Sequence, residues 1–260
     1  MARKVGDVGN AGQVRKSAEK GKAGDAGSAI RQSRRAERAH RILDAAVALV
    51  ERYGYSKTTL DDVAREAGVA KGTLYLHWNT REELFGAVLR RERILLSRSV
   101  LDRIRAEKGP LTMHELFKQV ALGLLERPLV RAVFTRDVEV VGSLLRREQR
   151  MHPERKELFH VLLDFLSRHN LARRDLSPQA QAFLVSAVFL GFFLSASWLP
   201  EQTAMSDDQI ASLMADTVVA ALDLGNSATP GELAEAAEDV LRQLEDLVAR
   251  EEATFEEELR

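Results

Sequence analysis

Apolar positions recur at helical intervals along most of the chain, and no segment alternates convincingly as a strand would. Ile42, Ala45, Ala46, Leu49, Val50 and Tyr53 stand at offsets 0, 3, 4, 7, 8 and 11 and predict a helix that ends at Gly54. Leu60, Val63, Ala64 and Ala67, at offsets 0, 3, 4 and 7, form one face of a helix too short to be stable alone. It must therefore dock on its neighbours. Leu74 and Trp78, four apart, give the inward face of another short helix beginning near Ala70. Thr80, with Glu83 three residues later, caps a helix that can run to about Glu107, roughly 40 Å at 1.5 Å per residue.

The same signals continue beyond it. All six prolines, Pro110, Pro128, Pro153, Pro178, Pro200 and Pro230, fall at expected helix boundaries. Thr112 and Glu115 cap a stripe of Met113, Leu116, Phe117, Val120, Ala121 and Leu124, and a shorter piece follows from Pro128 to Thr135. Leu158, Val161, Leu162, Phe165 and Leu166 form another stripe; Ser206 with Gln209 caps one containing Ile210, Leu213, Met214, Thr217, Val218 and Ala221. The fold class is all-α. Residues 182–199 carry no charge over 18 residues, the threshold for a membrane span. Three serines and the single occurrence favour instead a helix buried on all sides, with no membrane partner.

The stretch from Thr58 to Leu84, TTLDDVAREAGVAKGTLYLHWNTREEL, organises the rest. Thr59 can accept from the first-turn N–H groups while Asp62 completes the cap. Gly68 supplies a positive φ at a corner that Val69 closes. This is helix-turn-helix logic. With Leu74 and Trp78 inside, Lys71, Gly72, Thr73 and Tyr75 fall on the outer face. Lysine can reach a phosphate or a guanine edge, threonine offers a hydroxyl and a methyl, tyrosine can donate to a phosphate, and glycine permits close approach. A helix enters the major groove of B-DNA more readily than the deep, narrow one of A-form RNA, which favours DNA. The bland alternative is a solvated helix face.

The net charge of −1 hides a strong polarity. Residues 1–41 hold 11 Lys+Arg against 4 Asp+Glu, and residues 230–260 hold 3 against 11. Residues 1–33, rich in Gly, Ala, Lys and Ser without apolar periodicity, read as a disordered basic arm lacking the apolar core of a secretory signal. Arg31, Arg34, Arg35 and Arg38 could lie along DNA or in a minor groove; a solvated tail is the alternative. Arg81, in the first turn of its helix, opposes the helix dipole unless a phosphate sits nearby. At the other end, Thr229-Pro230-Gly231-Glu232 starts an acidic helix. Its Leu233, Ala237, Val240, Leu244 and Leu247 make a seam of about two heptads. That helix could dock on its own subunit, pair across a dimer, or compete with DNA for the basic arm. The chain has no cysteine, compatible with a reducing cytosol.

AGVAKGTLYLHW followed by NTREEL resembles the tetracycline-repressor (TetR) family over about residues 37–90, roughly a fifth of the chain. Trp78 stands where phenylalanine is frequent, His77 where tyrosine or histidine is usual, and Arg81 where lysine is commoner. The resemblance implies a cytoplasmic, homodimeric, ligand-responsive repressor on a palindromic site in double-stranded DNA. It implies DNA contacts by Arg34, Arg35, Arg38, Thr58, Thr59, Lys71, Gly72, Thr73, Tyr75, His77 and Arg81. The implied division is an arm (1–33), a DNA-binding domain (34–84, helix-turn-helix about 59–78), an effector and dimerisation domain (85–225) and the acidic helix (226–260). Within the third part it implies a pocket for a small hydrophobic effector, with Met113, Phe117, Phe134, Phe159 and Phe165 as lining candidates. The last two helices of that part would pair with those of a second subunit, through Phe183, Phe189, Phe192, Phe193, Ile210, Leu213, Met214 and Thr217.

Other classes stay open: an architectural DNA-binding protein without an effector, or a helical enzyme with a DNA-binding head. No catalytic pattern supports the enzyme. The single Glu157-x-x-His160 lacks the second copy a di-iron bundle needs, and no phosphate-binding glycine loop, nucleophile elbow or zinc motif occurs. No metal or cofactor is expected.

Overall fold

The computed structural model describes residues 11–107, 111–134, 165–166, 168–169, 171–173, 175–198, 205–223 and 229–260, all without strands. The helices are α1 (Ala11–Tyr53), α2 (Leu60–Glu66), α3 (Lys71–Tyr75), α4 (Arg81–Ala106), α5 (Met113–Leu125), α6 (Pro128–Phe134), α7 (Pro178–Trp198), α8 (Asp207–Leu222) and α9 (Pro230–Leu259). The all-α expectation holds. Thr59, Thr80, Thr112, Ser206 and Thr229 each cap their helix by accepting from the backbone N–H three residues on, as their spacing predicts.

α1 departs from expectation. Helix begins at Ala11, so residues 11–33 are not the irregular arm their composition suggested. Alanine, lysine, arginine, glutamate and glutamine have high helix propensity, and propagating a helix from the packed turns after Ala36 avoids a new nucleation cost.

Two apolar cores share the chain. The first gathers Ile42, Leu43, Val63, Leu74, Trp78 and Phe85 from α1 to α4, with Leu129 of α6 and Phe255 and Leu259 of α9. The second gathers Val100, Leu116, Phe117, Phe189, Met214 and Leu244 from α4, α5, α7, α8 and α9. Helix α4 runs through both: its residues up to Ile94 belong to the first and those from Leu96 to the second. Close packing of α4 on α5 uses Gly123, where a Cβ would come within 2.6 Å of Leu96 Cδ1. The stripe residues Leu158, Val161 and Leu162 lie outside the described residues.

Candidate nucleic-acid interface

α2 is held at its start by a reciprocal cap. Asp62 N donates to Thr59 Oγ1 at 3.2 Å, and the Thr59 hydroxyl donates back to Asp62 Oδ2 at 2.6 Å. The helix stops at Gly68, whose φ of 64° is easy only for glycine, and Val69 N returns to Ala64 O at 3.0 Å. α3 leaves this corner with Leu74 and Trp78 buried beneath it. Burying those two faces the rest of α3 outward: Lys71, Gly72 and Tyr75 are exposed, and Thr73 is half-buried.

The charges around α3 are arranged. Lys71 Nζ lies 2.6 Å from Asp61 Oδ1, and that carboxylate raises the lysine pKa. Arg35 reaches from α1 to donate to the Leu76 carbonyl at 3.1 Å. Burial, and then Arg35 and Arg38, hold the His77 imidazole below its ordinary pKa. Arg31, Arg34, Arg35, Arg38 and Arg41 line one concavity along α1, with Glu37 the single carboxylate among its lining residues. Such a surface attracts polyanions.

Two residues expected at phosphates bond within the chain. The Thr58 hydroxyl donates to Gly54 O at 2.9 Å, and the residue is only 2% exposed, so it closes the turn after α1 from within. Arg81 donates to the Tyr55 carbonyl and lays its guanidinium 3.9 Å from the Tyr55 ring centroid. Its role is to fasten the start of α4 to the turn after α1. Thr59 is exposed, its hydroxyl shared with the cap, and His77 is half-buried beside Trp78.

Residues 42–88 match the family model for bacterial regulatory proteins of the tetR family. Over that stretch the chain carries a tetR-family DNA-binding head. It is 26% identical over 188 residues to the uncharacterised HTH-type transcriptional regulator YhgD of Bacillus subtilis (strain 168), spanning 70% of this chain and 94% of that one. Over 49 residues it is 47% identical to the HTH-type transcriptional regulator SrpR of Pseudomonas putida, 19% of this chain and 23% of that one. The fold is shared with a solved Rhodococcus sp. protein assigned to the TetR family, at a TM-score of 0.53 and 23% identity over 72% of this chain and 98% of that one. The helix-turn-helix head is thus that of a DNA-binding transcriptional regulator.

In the second core Met113, Phe117 and Phe165 are buried, and Phe117 meets Phe189 edge-on at 6.4 Å. Phe159 and the side chain of Phe134 lie outside the described residues. The residues expected at a dimer contact split. Phe189, Phe193 and Met214 are buried within their own chain, which removes them from any intersubunit surface. Phe183 at 75% exposure, Leu213 at 45% and Thr217 face outward, with Phe192 and Ile210 half-buried. The sequence stripe mixed both sets because α7 is apolar all round and periodicity cannot orient such a helix.

Sequence reasoning also missed Leu76 and Arg41. Leu76, 72% exposed at the end of α3, carries no signal beyond its position. Arg41 completes a spacing of 31, 34, 35, 38 and 41, which reads as one helical face only once α1 is known to extend that far.

Proposed function

We propose that this regulator is a homodimeric, ligand-responsive repressor that reads a palindromic operator with α3. Lys71, Thr73 and Tyr75 face the bases and adjacent phosphates, and Gly72 allows the backbone close approach. Thr59 and His77 flank them, while Arg34, Arg35 and Arg38 follow the phosphates beside the half-site. The observation that carries this reading is the polar outer face of α3, standing on a fully packed inner face of Leu74 and Trp78.

The outward Phe183, Leu213 and Thr217 of α7 and α8 supply the dimer contact, because an apolar patch of that kind calls for a partner. A two-fold pair of heads matches a two-fold DNA site. Repression accords with the head's 38% identity over 45 residues to the negative transcriptional regulator IcaR of Staphylococcus epidermidis. Functionally the chain divides into a basic arm (1–33), a reading head (34–84), an effector and dimerisation body (85–225) and the acidic helix (226–260), working in the cytoplasm. A small hydrophobic effector in the body, among Met113, Phe117 and Phe165, would move α4 and change the spacing of the heads.

Selection of binders from random duplexes tests the reading. A two-fold symmetric site supports it, and release from that duplex by a hydrophobic compound supports the effector. Equal, salt-sensitive binding to all duplexes would favour an architectural protein instead.

A further inference from the structure

Helix α9 is the one acidic element whose role the reading above leaves unused. It is 30 residues long, roughly 45 Å at 1.5 Å per residue, and begins at a capping box with a proline in its first turn. Ala236, Val240, Leu244 and Val248 pack in the second core, whereas Phe255 and Leu259, each 4% exposed, pack in the core of the reading head. A single rod is therefore anchored at both ends of the molecule.

It lies along α4 with matched charge. Arg90 pairs with Glu251 and Glu258, Arg98 clasps Glu252 with Nε–Oε1 at 2.9 Å, and Arg105 reaches Glu245 at 2.6 Å. Partner numbers fall on α9 as they rise on α4, so the two helices run antiparallel. Arg90 is nearly buried, and its guanidinium also stands 5.5 Å from the Phe255 ring. Withdrawing α9 would strip that guanidinium of both carboxylates and of the ring. On α1, His40 Nε2 stands 2.8 Å from Glu256 Oε1. The acidic residues thus engage α4 and His40, and among the described residues none pairs with Arg31, Arg34, Arg35 or Arg38. The idea of a tail competing with DNA for the arm is replaced by docking on its own chain.

Helix α4 crosses between the two bodies, and the short α6 touches both through Leu129 and Val130; a long antiparallel strut fixed in both cores opposes bending and rolling of α4. We propose that α9 is a brace that positions the reading head on the body, with Phe255 and Arg90 as the anchor and Arg98–Glu252 as the clasp. These are positioning residues: they set the angle of α3 and, in a dimer, the distance between two copies of it. The inference rests on the two-headed reading above.

The test uses the full chain and the duplex selected from random sequence, with its half-sites moved apart or together by one to three base pairs. Fluorescence anisotropy then gives affinity against spacing. The wild type is expected to prefer one spacing by roughly tenfold over its neighbours. Phe255→Ala should flatten that preference while leaving affinity for an isolated half-site unchanged. Because Phe255→Ala can also loosen the head, Arg98→Glu, at a position 36% exposed, provides a second probe. It too should flatten the profile, and Arg98→Glu with Glu252→Arg should restore it. If both single variants keep the wild-type spacing preference, the brace is overturned while the two-headed reading survives. A wild type indifferent to spacing would overturn both.

Discussion

Lys71 and Asp61, ten residues apart across the turn, form an ion pair with Nζ–Oδ1 at 2.6 Å at the edge of the proposed DNA face. The carboxylate holds the lysine in place but sets a negative charge where phosphate would come. Asp61→Asn is therefore expected to raise affinity for operator and random duplexes alike, lowering discrimination. Anisotropy titrations on both at one salt concentration check it; unchanged affinity would place the pair away from DNA.

Arg81 is bound inward to Tyr55, which separates two roles. If it fastens the head, Arg81→Ala should lower stability by about 1–3 kcal/mol, from one hydrogen bond and one cation–π contact. Thermal melts should show the loss, with DNA affinity largely kept well below the transition. A variant of normal Tm with weak binding would return Arg81 to phosphate contact.

His77 gives the head a pH dependence. Burial first, then Arg35 and Arg38, lower its folded pKa, so unfolding takes up a proton on acidification. The stability this neutral imidazole contributes is present above about pH 6.5 and is lost as pH falls through its lower folded value. Denaturant melts from pH 7.5 to 5 should show His77→Gln losing less stability than the wild type. Parallel curves would reject the assignment.

The arginine face of α1 should act as a phosphate tracker. Replacing Arg31, Arg34 and Arg41 together by alanine is expected to reduce the slope of log affinity on log salt by about 0.9 for each phosphate contact removed, without altering base preference. An unchanged slope would leave the face solvated in the complex.

Phe183→Glu tests the body. At 75% exposure the side chain supports little within its own chain, so the substitution should spare the fold and halve the mass seen by sedimentation. Affinity for the symmetric duplex should fall to that of a half-site. A variant that still sediments as a dimer would move the interface elsewhere.

The head was largely legible before folding. Thr59 and Asp62, Gly68, and the pair Leu74 and Trp78 are local signals, since capping, a positive φ and a four-residue stagger each depend on neighbours in sequence. The outward set of Lys71, Gly72 and Tyr75 follows from them. The inward bonds of Thr58 and Arg81 were not legible, because sequence shows which groups can donate, while the acceptors they meet, Gly54 O and Tyr55 O, depend on how α1 and α4 close on the turn.

By itself the sequence determined nearly all of the helix starts, the helix-turn-helix corner and the polarity of charge along the chain, because these arise from interactions within a turn or two. Tertiary structure decided which side of α7 turns outward, which arginines gather beside α3, and that an acidic helix some 150 residues from α4 lies against it with Phe255 in the head. Such choices rest on contacts between distant segments, where burial of one face is settled only when its partner is in place.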